Sequence, residues 1–306
     1  MNPMSTSNFQ GRTAVVTGAA SGFGLETCRL AARLGMNVVL ADVMAEPLAA
    51  AAAEIEALGV AVLPMRVDVR HAAEVEALAQ AVRARFGVPH FVFNNAGVSA
   101  GGLIWEHGPK EWDWVLGVNL MGVVHGVRVF TPMMLEAEKA DPDFEGHIVN
   151  TASMAGLVNM PNMGAYNVSK HAVVALSETL YQDLRLVSDR VHAHVLCPYF
   201  VPTGICHSER ARPEDARDAA PPTHSQLVAH AVGAKAVASG KVSAADVARF
   251  VFDALDDKRF YIYSHPNALG PVMTRAQDIL RGDRPSDPYG ARPELGAHLK
   301  ATLRQP

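Results

Sequence analysis

The stretch "YNVSK" carries two residues of the types and spacing that proton transfer needs. Tyr166 and Lys170 are four residues apart and therefore lie on one face of a helix. A tyrosine phenol acts as a base near neutral pH only if its pKa, ordinarily about 10, is lowered, and a nearby cation has that effect. The pair therefore predicts a phenol base assisted by a lysine. Ser153, thirteen residues before Tyr166, ends the strand "HIVNTAS" and can supply a hydroxyl beside it.

A glycine-rich stretch near the start of the chain suggests phosphate binding. "TGAASGFG", from Thr17 to Gly24, follows the apolar run "TAVVT" and precedes a helical pattern. Backbone N–H groups and the positive end of a helix can hold a pyrophosphate there, although the spacing differs from G-x-G-x-x-G and a simple turn is the alternative. Asp42, twenty residues after Gly22, ends the next strand. A carboxylate at that place can accept hydrogen bonds from both ribose hydroxyls of an adenosine.

Strands and helices alternate along the chain, and this predicts how those residues are positioned. The order is "TAVVT", 24–34, "NVVLA", 46–58, "VLPMRVD", 71–86, "HFVFNNAG", a long helix after Lys110, "HIVNTAS", 164–186, "VHAHVLCP" and "RFYIYS". Continuous apolar strands joined by helices predict an α/β fold with a doubly wound parallel β-sheet, the Rossmann fold. Ligands bind such sheets at the carboxyl ends of the strands, where Asp42 and Ser153 are placed.

A single domain is predicted, because no linker or internal repeat interrupts the pattern. We expect a Rossmann-fold domain over 1–265 and a C-terminal extension over 266–306. An insert rich in alanine and proline, 204–241, precedes a helix that Ser243 caps through "SAAD". It leaves the sheet at the carboxyl end, where substrate enters, so we expect it to act as a substrate lid. A static surface excursion or a subunit contact is the alternative.

Composition excludes several classes of protein. The chain has 306 residues, 49% of them apolar, and a formal charge of -4. It therefore lacks the basic excess of nucleic-acid-binding proteins. No apolar run reaches the roughly 18 residues of a membrane span and the first residues do not resemble a secretory signal, so we expect a cytoplasmic protein without membrane contact. His192 and His194 share a strand face, but no carboxylate or cysteine cluster joins them, and no metal site is predicted.

Several motifs, in this order, make the sequence resemble the classical short-chain dehydrogenase/reductase (SDR) family. They are "TGAASGFG", "NNAG" at 94–97, Asn119 in "GVNLMG", Ser153, Tyr166 and Lys170. The resemblance covers about 11–264. It implies that Asn119, Ser153, Tyr166 and Lys170 form a catalytic tetrad for hydride transfer between a nicotinamide cofactor and an alcohol or ketone. Tyr166 would take the alcohol proton, Ser153 would bind the same oxygen, Lys170 would lower the pKa of Tyr166, and Asn119 would hold a water linking Lys170 to solvent.

The resemblance also implies which residues hold the dinucleotide. Asp68 in "VDV" would meet the adenine, and Thr203 in "PYFVPTG" would hold the cofactor near the nicotinamide. The full set is Gly18, Ser21, Gly22, Phe23, Gly24, Asp42, Val43, Asp68, Val69, Asn95, Ala96, Gly97, Tyr166, Lys170, Pro198, Val201 and Thr203. An acidic Asp42 repels a 2′-phosphate, and Ser21, Val43 and Met44 offer it no positive charge. NAD is therefore predicted rather than NADP.

The segments expected beside the nicotinamide are apolar and adaptable. They contribute Met154, Met160, Met163, Tyr199, Phe200 and His207. This set predicts a hydrophobic secondary alcohol or ketone, aromatic ones included, as the small-molecule partner. The family usually has Pro-Gly where this chain has Pro198 and Tyr199, so the tyrosine is expected to reshape the pocket. Arg210 and Arg212 are expected on a solvated helix face.

Two other functions are alternatives. An extended-type epimerase or dehydratase of sugar nucleotides shares Tyr-x-x-x-Lys, but its glycine loop is spaced differently and its C-terminal substrate domain is larger. A non-catalytic redox sensor would keep the fold to bind dinucleotide, but such proteins usually lack the tyrosine or the lysine, and both are present here. We expect the protein to be a homo-oligomer, either a dimer or a tetramer.

Overall fold

A seven-stranded parallel sheet forms the centre of the computed structural model, which describes residues 9–218 and 220–305. The strand order is β3-β2-β1-β4-β5-β6-β7. The strands are β1 Thr13–Thr17, β2 Asn37–Asp42, β3 Val62–Arg66, β4 Phe91–Asn94, β5 Gly146–Thr151, β6 Val191–Cys197 and β7 Tyr261–Tyr263. The doubly wound fold predicted from the sequence is therefore confirmed.

Helices connect these strands and continue beyond the last one. They are α1 Gly22–Arg33, α2 Ala45–Glu56, α3 Ala72–Phe86, α4 Pro109–Leu116, α5 Gly122–Ala140, α6 Gly164–Val187, α7 His224–Ala238, α8 Ala244–Asp256, α9 Gly270–Arg281 and α10 Pro293–Leu303. The long helix expected after Lys110 is interrupted by a π-helical turn over Gly117–Met121, between α4 and α5. Ser243 caps α8 as predicted, because its side chain accepts from the Asp246 N–H and the Asp246 carboxylate accepts from the Ser243 N–H.

Alternate residues of each strand supply two apolar cores, one on each face of the sheet. Val16 and Val38 belong to the core that also contains residues of α1 and α8. Val15 and Val39 belong to the core that also contains residues of α3 and α5. Because successive side chains of a strand point to opposite faces, uninterrupted apolar strands need helices on both faces. This is why the strands read as continuous apolar runs in the sequence.

The strand order reverses between β1 and β4, the two central strands. β1 pairs with β2 on one side and with β4 on the other. At such a switch point the loops that follow the two strands diverge to opposite faces and leave a crevice at the carboxyl end of the sheet. The glycine loop after β1 and the "NNAG" loop after β4 meet at this crevice.

The 204–241 insert and the C-terminal segment, which is residues 264–305 after β7, both pack over the carboxyl end of the sheet. In the insert, α7 begins with a capping box formed by Thr223 and Gln226. The Ser225 hydroxyl donates to the Glu106 carboxylate at 2.7 Å and accepts from the Leu103 N–H at 2.9 Å. These bonds fasten the start of α7 to the loop before α4.

The helical stretch Pro109–Ala140, which includes α4 and α5, is long and apolar enough to cross a membrane by length and composition. No such segment was predicted from the sequence. More than half of its most apolar window is buried inside the fold, and buried core helices pass the same test. Its packing partners include α3, β4 and β5.

Candidate active site

The glycine loop and the start of α1 form one wall of a cavity of ≈ 1000 Å³. Gly18 (φ +64°) and Gly22 (φ +54°) adopt left-handed backbone conformations that favour glycine. A Cβ at Gly18 would lie 2.9 Å from the Cα of Ala96, so the loops after β1 and β4 pass directly against each other. The first turn of α1 opens onto the cavity. Its N–H groups and the positive end of its dipole suit a pyrophosphate.

Asp42 ends β2 at the edge of this cavity, where the backbone fixes its carboxylate. Its Oδ2 accepts from the Ala20 N–H and its Oδ1 accepts from the Met44 N–H, each at 3.0 Å. The residue is only 7% exposed. A fixed carboxylate beside the glycine loop can accept from ribose hydroxyls, and it repels a phosphate at the same place.

Asp68, which follows β3, has an arginine partner that the sequence analysis did not identify. Arg70 Nη2 donates to Asp68 Oδ2 at 2.8 Å, and Arg70 Nε donates to both carboxylate oxygens. Burial raises the pKa of Asp68, but the hydrogen bonds and charge of Arg70 outweigh burial and leave this pKa below its usual value. Arg70 also lies 3.6 Å from the Asp215 carboxylate. The residue predicted to meet the adenine is thus linked to the insert through Arg70.

Two asparagines fix the loop after β4. Asn95 donates from its backbone N–H to the Thr17 hydroxyl at 2.9 Å and from its side chain to the Thr17 carbonyl at 3.0 Å. Asn119, within the π-helical turn, accepts from the Val98 N–H at 2.8 Å and donates to the Val98 carbonyl and the Ser169 hydroxyl. Both amide hydrogens of Asn119 are therefore used to join the β4 loop to α6. This side chain acts as a positioning group, and the water expected beside it would have to bind elsewhere on the residue.

Ser153, Tyr166 and Lys170 face the cavity from the end of β5 and the start of α6. Ser153 Oγ accepts from the Ala155 N–H at 3.1 Å, which fixes the hydroxyl at the strand end. Lys170 Nζ donates to the Thr151 carbonyl at 2.9 Å and lies 5.7 Å from the centre of the Tyr166 ring. A strand end and the first turns of one helix therefore bring a hydroxyl, a phenol and an ammonium to a single wall.

Burial dominates the ionisation of the phenol and the ammonium. Burial raises the pKa of Tyr166, and the adjacent Ser153 hydroxyl only partly offsets this. Burial lowers the pKa of Lys170 to about 8. The raised pKa of Tyr166 reflects removal of the phenol from water, which disfavours its anion. The predicted effect of Lys170, which would lower this pKa, stays a prediction.

Most residues predicted to bind the dinucleotide or to act in catalysis line this one cavity. They are Gly18, Ser21, Gly22, Phe23, Asp42, Val43, Asp68, Val69, Asn95, Ala96, Gly97, Ser153, Tyr166, Lys170, Pro198, Val201 and Thr203. Of the described residues that were predicted, Gly24, Asn119 and His207 lie outside its lining. A Cβ at Gly24 would collide with the Gly18 carbonyl oxygen, so Gly24 lets α1 pack against the loop. The His207 ring lies instead against the ring of His230 in α7, with 6.2 Å between the ring centroids.

Apolar side chains line the part of the cavity beyond Tyr166. The predicted substrate residues Met154, Met160, Met163, Tyr199 and Phe200 all belong to this lining. The centroid of the Tyr199 ring lies 4.5 Å from that of the Phe200 ring and 5.7 Å from that of the His265 ring. Among residues 9–218 and 220–305, positive φ angles outside glycine occur at Asn162 and Lys258. Tyr199 therefore adopts an ordinary backbone conformation, and the turn after Pro198 does not need a glycine.

The two arginines of the insert have different surroundings. Arg210 lines the cavity, and its guanidinium donates to the Gly204 and His207 carbonyls at 3.0 and 3.3 Å. Arg212 lies over the Trp114 ring at 4.7 Å, and its side chain is only 9% exposed. The expected solvated face is therefore wrong for Arg212, because the guanidinium packs on an aromatic ring of α4.

Sequence reasoning missed a set of cavity residues that come from the C-terminal segment. They are His265, Ala268, Pro271, Pro288, Tyr289, Ala291, Arg292 and Leu295. The prolines of this segment were visible in the sequence, but nothing in its residue types showed that it returns to the carboxyl end of the sheet.

Comparison with known proteins shows the family to which the chain is similar. The family model described as "short chain dehydrogenase" matches residues 12–214. A CLA biosynthesis dehydrogenase/reductase of Lactiplantibacillus plantarum is 34% identical over 281 residues, which are 91% of this chain and 96% of the relative. A short chain dehydrogenase/reductase from Burkholderia phymatum, solved in complex with NAD, has a TM-score of 0.88 and 51% identity, over 92% of this chain and 98% of that one. A metagenomic short-chain oxidoreductase in complex with NADP has a TM-score of 0.57 and 34% identity, over 62% of this chain and 83% of that one.

Proposed function

The chain belongs to the short-chain dehydrogenase family, and on this premise we propose that it interconverts an apolar secondary alcohol, aromatic alcohols included, and its ketone with NAD. One observation carries the proposal: a phenol, a hydroxyl and an ammonium share one cavity with a glycine-lined helix start. Tyr166, Ser153 and Lys170 occupy one wall, and the Gly18–Gly22 loop forms another. Such a combination would provide a proton acceptor and a dinucleotide cradle within one enclosure.

The residues around the cradle fit a dinucleotide. Gly18 and Gly22 leave room for close approach, and the start of α1 offers N–H groups to a pyrophosphate. Asp42 would hold the adenosine ribose, while Asp68, Asn95 and Thr203 line the remaining path. When bound, the nicotinamide accepts or supplies the hydride.

The charge at Asp42 supports NAD over NADP. A 2′-phosphate would sit beside a carboxylate that two backbone N–H groups hold in place, and the resulting repulsion would disfavour it. The 51% identical Burkholderia phymatum relative, solved with NAD, supports the same choice. The metagenomic relative was solved with NADP, so both cofactors are included in the test below.

Within this proposal, each residue has a distinct chemical task. Tyr166 Oη takes the proton of the substrate hydroxyl in oxidation and returns it in reduction. Ser153 Oγ, fixed by the Ala155 N–H, holds the same oxygen. Lys170 places a positive charge near the phenol, which opposes the effect of burial. Asn119 holds the loop after β4 against α6 and so keeps the two walls in register.

The substrate class follows from the lining beyond Tyr166. Met154, Met160 and Met163 provide adaptable apolar contacts, and Tyr199 and Phe200 provide flat ones. The carboxylates that line the cavity, Asp42 and Asp68, are both at the end assigned to the adenosine. An apolar alcohol therefore finds a complementary surface, and a cationic substrate finds no counter-charge among the described residues beyond Tyr166.

The experiment that tests this function follows nicotinamide absorbance. Purified protein is mixed with NAD or NADP and a panel of secondary alcohols that ranges from small aliphatic to aryl-substituted members. We expect reduction of NAD with the apolar and aryl members, and weaker reduction of NADP. Absence of reduction with both cofactors over the whole panel, and of oxidation of both reduced cofactors with the matching ketones, would overturn the proposal.

A further inference from the structure

The C-terminal segment after β7 returns to the cavity and closes its outer side. The residues that contribute to the lining come from the turn before α9, from the start of α9, from the loop between α9 and α10, and from α10 itself. Tyr289 lies in that loop and Leu295 lies in the first turn of α10. The His265 ring, at the start of this segment, lies 5.7 Å from the Tyr199 ring between centroids, so the segment meets the cavity beside Tyr199.

Specific contacts hold this segment in place. The Ser286 N–H and hydroxyl donate to the two carboxylate oxygens of Asp278 at 2.8 and 3.0 Å, which ties the loop to α9. The His224 side chain is 3.0 Å from the Thr302 carbonyl, which ties α10 to the start of α7. The loop is thus fixed to α9, and α10, which follows the loop, is fixed to the insert.

Tyr289 has a defined position within that loop. A Cβ at Gly296 would lie 3.2 Å from the Tyr289 Cβ and 3.4 Å from its Cδ2, so the ring rests against the glycine of α10. The residue is half-buried, and its backbone N–H donates to the Asp287 carboxylate at 2.9 Å. Burial, with the nearby Asp287 carboxylate and Tyr199 phenol, raises the pKa of Tyr289. Tyr289 and Tyr199 both line the cavity.

We propose that Tyr289 is a specificity-determining residue, which with Leu295 forms the outer wall of the substrate site and selects alcohols with a bulky apolar group. This inference rests on the proposed function. A small alcohol at Ser153 and Tyr166 would be held by those residues alone. A larger apolar group would extend toward Tyr199 and gain contact with Tyr289, and this added contact would stabilise the transition state only for larger substrates.

The test compares wild type with Tyr289→Ala, Tyr289→Phe and Leu295→Ala. Leu280→Ala is the matched control, because Leu280 belongs to the same segment but is 86% exposed on α9 and does not line the cavity. Each protein is assayed for kcat/KM with a series of secondary alcohols of increasing apolar bulk. NAD affinity and melting temperature are measured in parallel to show that the fold and the cofactor site are retained.

We expect Tyr289→Ala to lower kcat/KM for the bulkiest alcohols about tenfold or more and to leave the smallest alcohol nearly unchanged. Leu295→Ala should show the same trend with a smaller effect, while Tyr289→Phe and Leu280→Ala should resemble wild type. An equal effect of Tyr289→Ala and Leu295→Ala on all alcohols, or none on any, would overturn the inference while leaving the proposed function standing. A wild-type enzyme inactive with every alcohol and both cofactors would overturn both.

Discussion

Lys170 Nζ lies 5.7 Å from the centre of the Tyr166 ring and donates its hydrogen bond to the Thr151 carbonyl, not to the phenol. The end of β5 therefore fixes the ammonium at a distance from the base that it is proposed to assist. Because burial also lowers the pKa of Lys170 to about 8, the charge on this lysine is sensitive to mild alkaline conditions. The pKa of Tyr166 thus depends on Ser153 and Lys170, which share its cavity wall, and on how far the phenol is removed from water.

Replacement of the proposed base removes proton transfer without removing bulk. We expect Tyr166→Phe to lower kcat/KM for alcohol oxidation by at least about a hundredfold, because only the hydroxyl that accepts the substrate proton is lost. NAD affinity, measured by fluorescence titration, should change little. Val168→Ala is a suitable control, since Val168 is 44% exposed on the same helix and is not part of the cavity lining. Turnover close to wild type in Tyr166→Phe would refute the assignment.

The rate of oxidation should rise with pH across the neutral and alkaline range, because Tyr166 and Lys170 titrate as a coupled pair. The active form has lost one proton from the protonated pair, so low pH suppresses oxidation and higher pH restores it. The measurement is kcat/KM for oxidation across the neutral and alkaline range, and a flat profile would contradict it.

Removal of the ammonium should move this profile. In Lys170→Met the phenol keeps its burial, which raises the pKa of Tyr166, but lacks a nearby positive charge. We therefore expect the rise in rate to shift to higher pH, with a lower rate at neutral pH. Lys241→Met, which removes another cavity-lining ammonium, is the control and should leave the midpoint unchanged. An unshifted midpoint in Lys170→Met would show that Lys170 does not tune the base.

The sequence predicts the fold well because strand and helix periods are local properties. Apolar runs such as "TAVVT" and "NVVLA" are typical of strands covered on both faces, and the helices between them favour a parallel sheet with right-handed crossovers. The π-helical turn at Gly117–Met121 was not predictable in this way. A one-residue slip in backbone hydrogen bonding leaves the apolar spacing of the helix almost unchanged, so the residue types do not reveal it.

In the candidate site, too, the residues set by local sequence patterns were predicted and those set by other contacts were not. Ser153, Tyr166 and Lys170 were predicted because each is placed by a strand end or by helical spacing. His207 was expected beside the substrate, but it sits in an irregular helical segment with no period to fix its direction, and its ring meets His230. Tyr289 was missed because it lies more than a hundred residues after Tyr166 in the sequence. Its loop reaches the cavity only because α10 packs against α7. Long-range packing of this kind has no signature in a single sequence.

Neutralising Asp42 should weaken NAD and relax discrimination against NADP. Asp42→Asn keeps the size of the side chain but removes the charge that binds ribose hydroxyls and repels a 2′-phosphate, so NAD affinity should fall about tenfold or more. Asp42→Ala should act in the same direction, and an added Val43→Arg should favour NADP further. Fluorescence titration with both cofactors measures the preference ratio. An unchanged ratio would mean that the Asp42 carboxylate serves only to accept from the Ala20 and Met44 N–H groups and does not select the cofactor.

The insert should open and close as a lid, although several contacts hold it in this structure. Ser208 Oγ accepts from the Ser99 N–H at 2.9 Å, and Lys110 donates to the Arg217 carbonyl at 3.1 Å. We expect trypsin to cut the free protein within 209–223, and NAD with a ketone analogue to slow that cleavage, because closure excludes water from the cavity. Cleavage at the exposed Arg190, which precedes β6 and does not line the cavity, should be unaffected by ligand. Equal rates within 209–223 with and without ligand would remove the support for a lid.

Acid should destabilise the fold through histidines buried in their neutral form. His194 contacts the His147 ring at 3.1 Å and the Arg259 carbonyl at 2.8 Å. Burial lowers the pKa of His194 to about 4, in spite of the Arg259 carbonyl, and the His192 and Arg259 charges add to this lowering. Burial and neighbouring positive charges, those of His192 and His194 among them, likewise place the pKa of His147 well below its usual value.

The sign follows from comparing the two states. Above about pH 6.5, His194 is neutral whether the chain is folded or unfolded, so it adds no pH dependence. Between about pH 6.5 and 4 the unfolded chain binds a proton that the folded protein does not, so the free energy of unfolding should fall as pH falls. Urea unfolding midpoints across this window measure the slope. His194→Asn, which removes the titrating ring, should flatten the slope, while His298→Asn on the exposed face of α10 should not. A slope identical in wild type and His194→Asn would show that this histidine stays out of the acid transition.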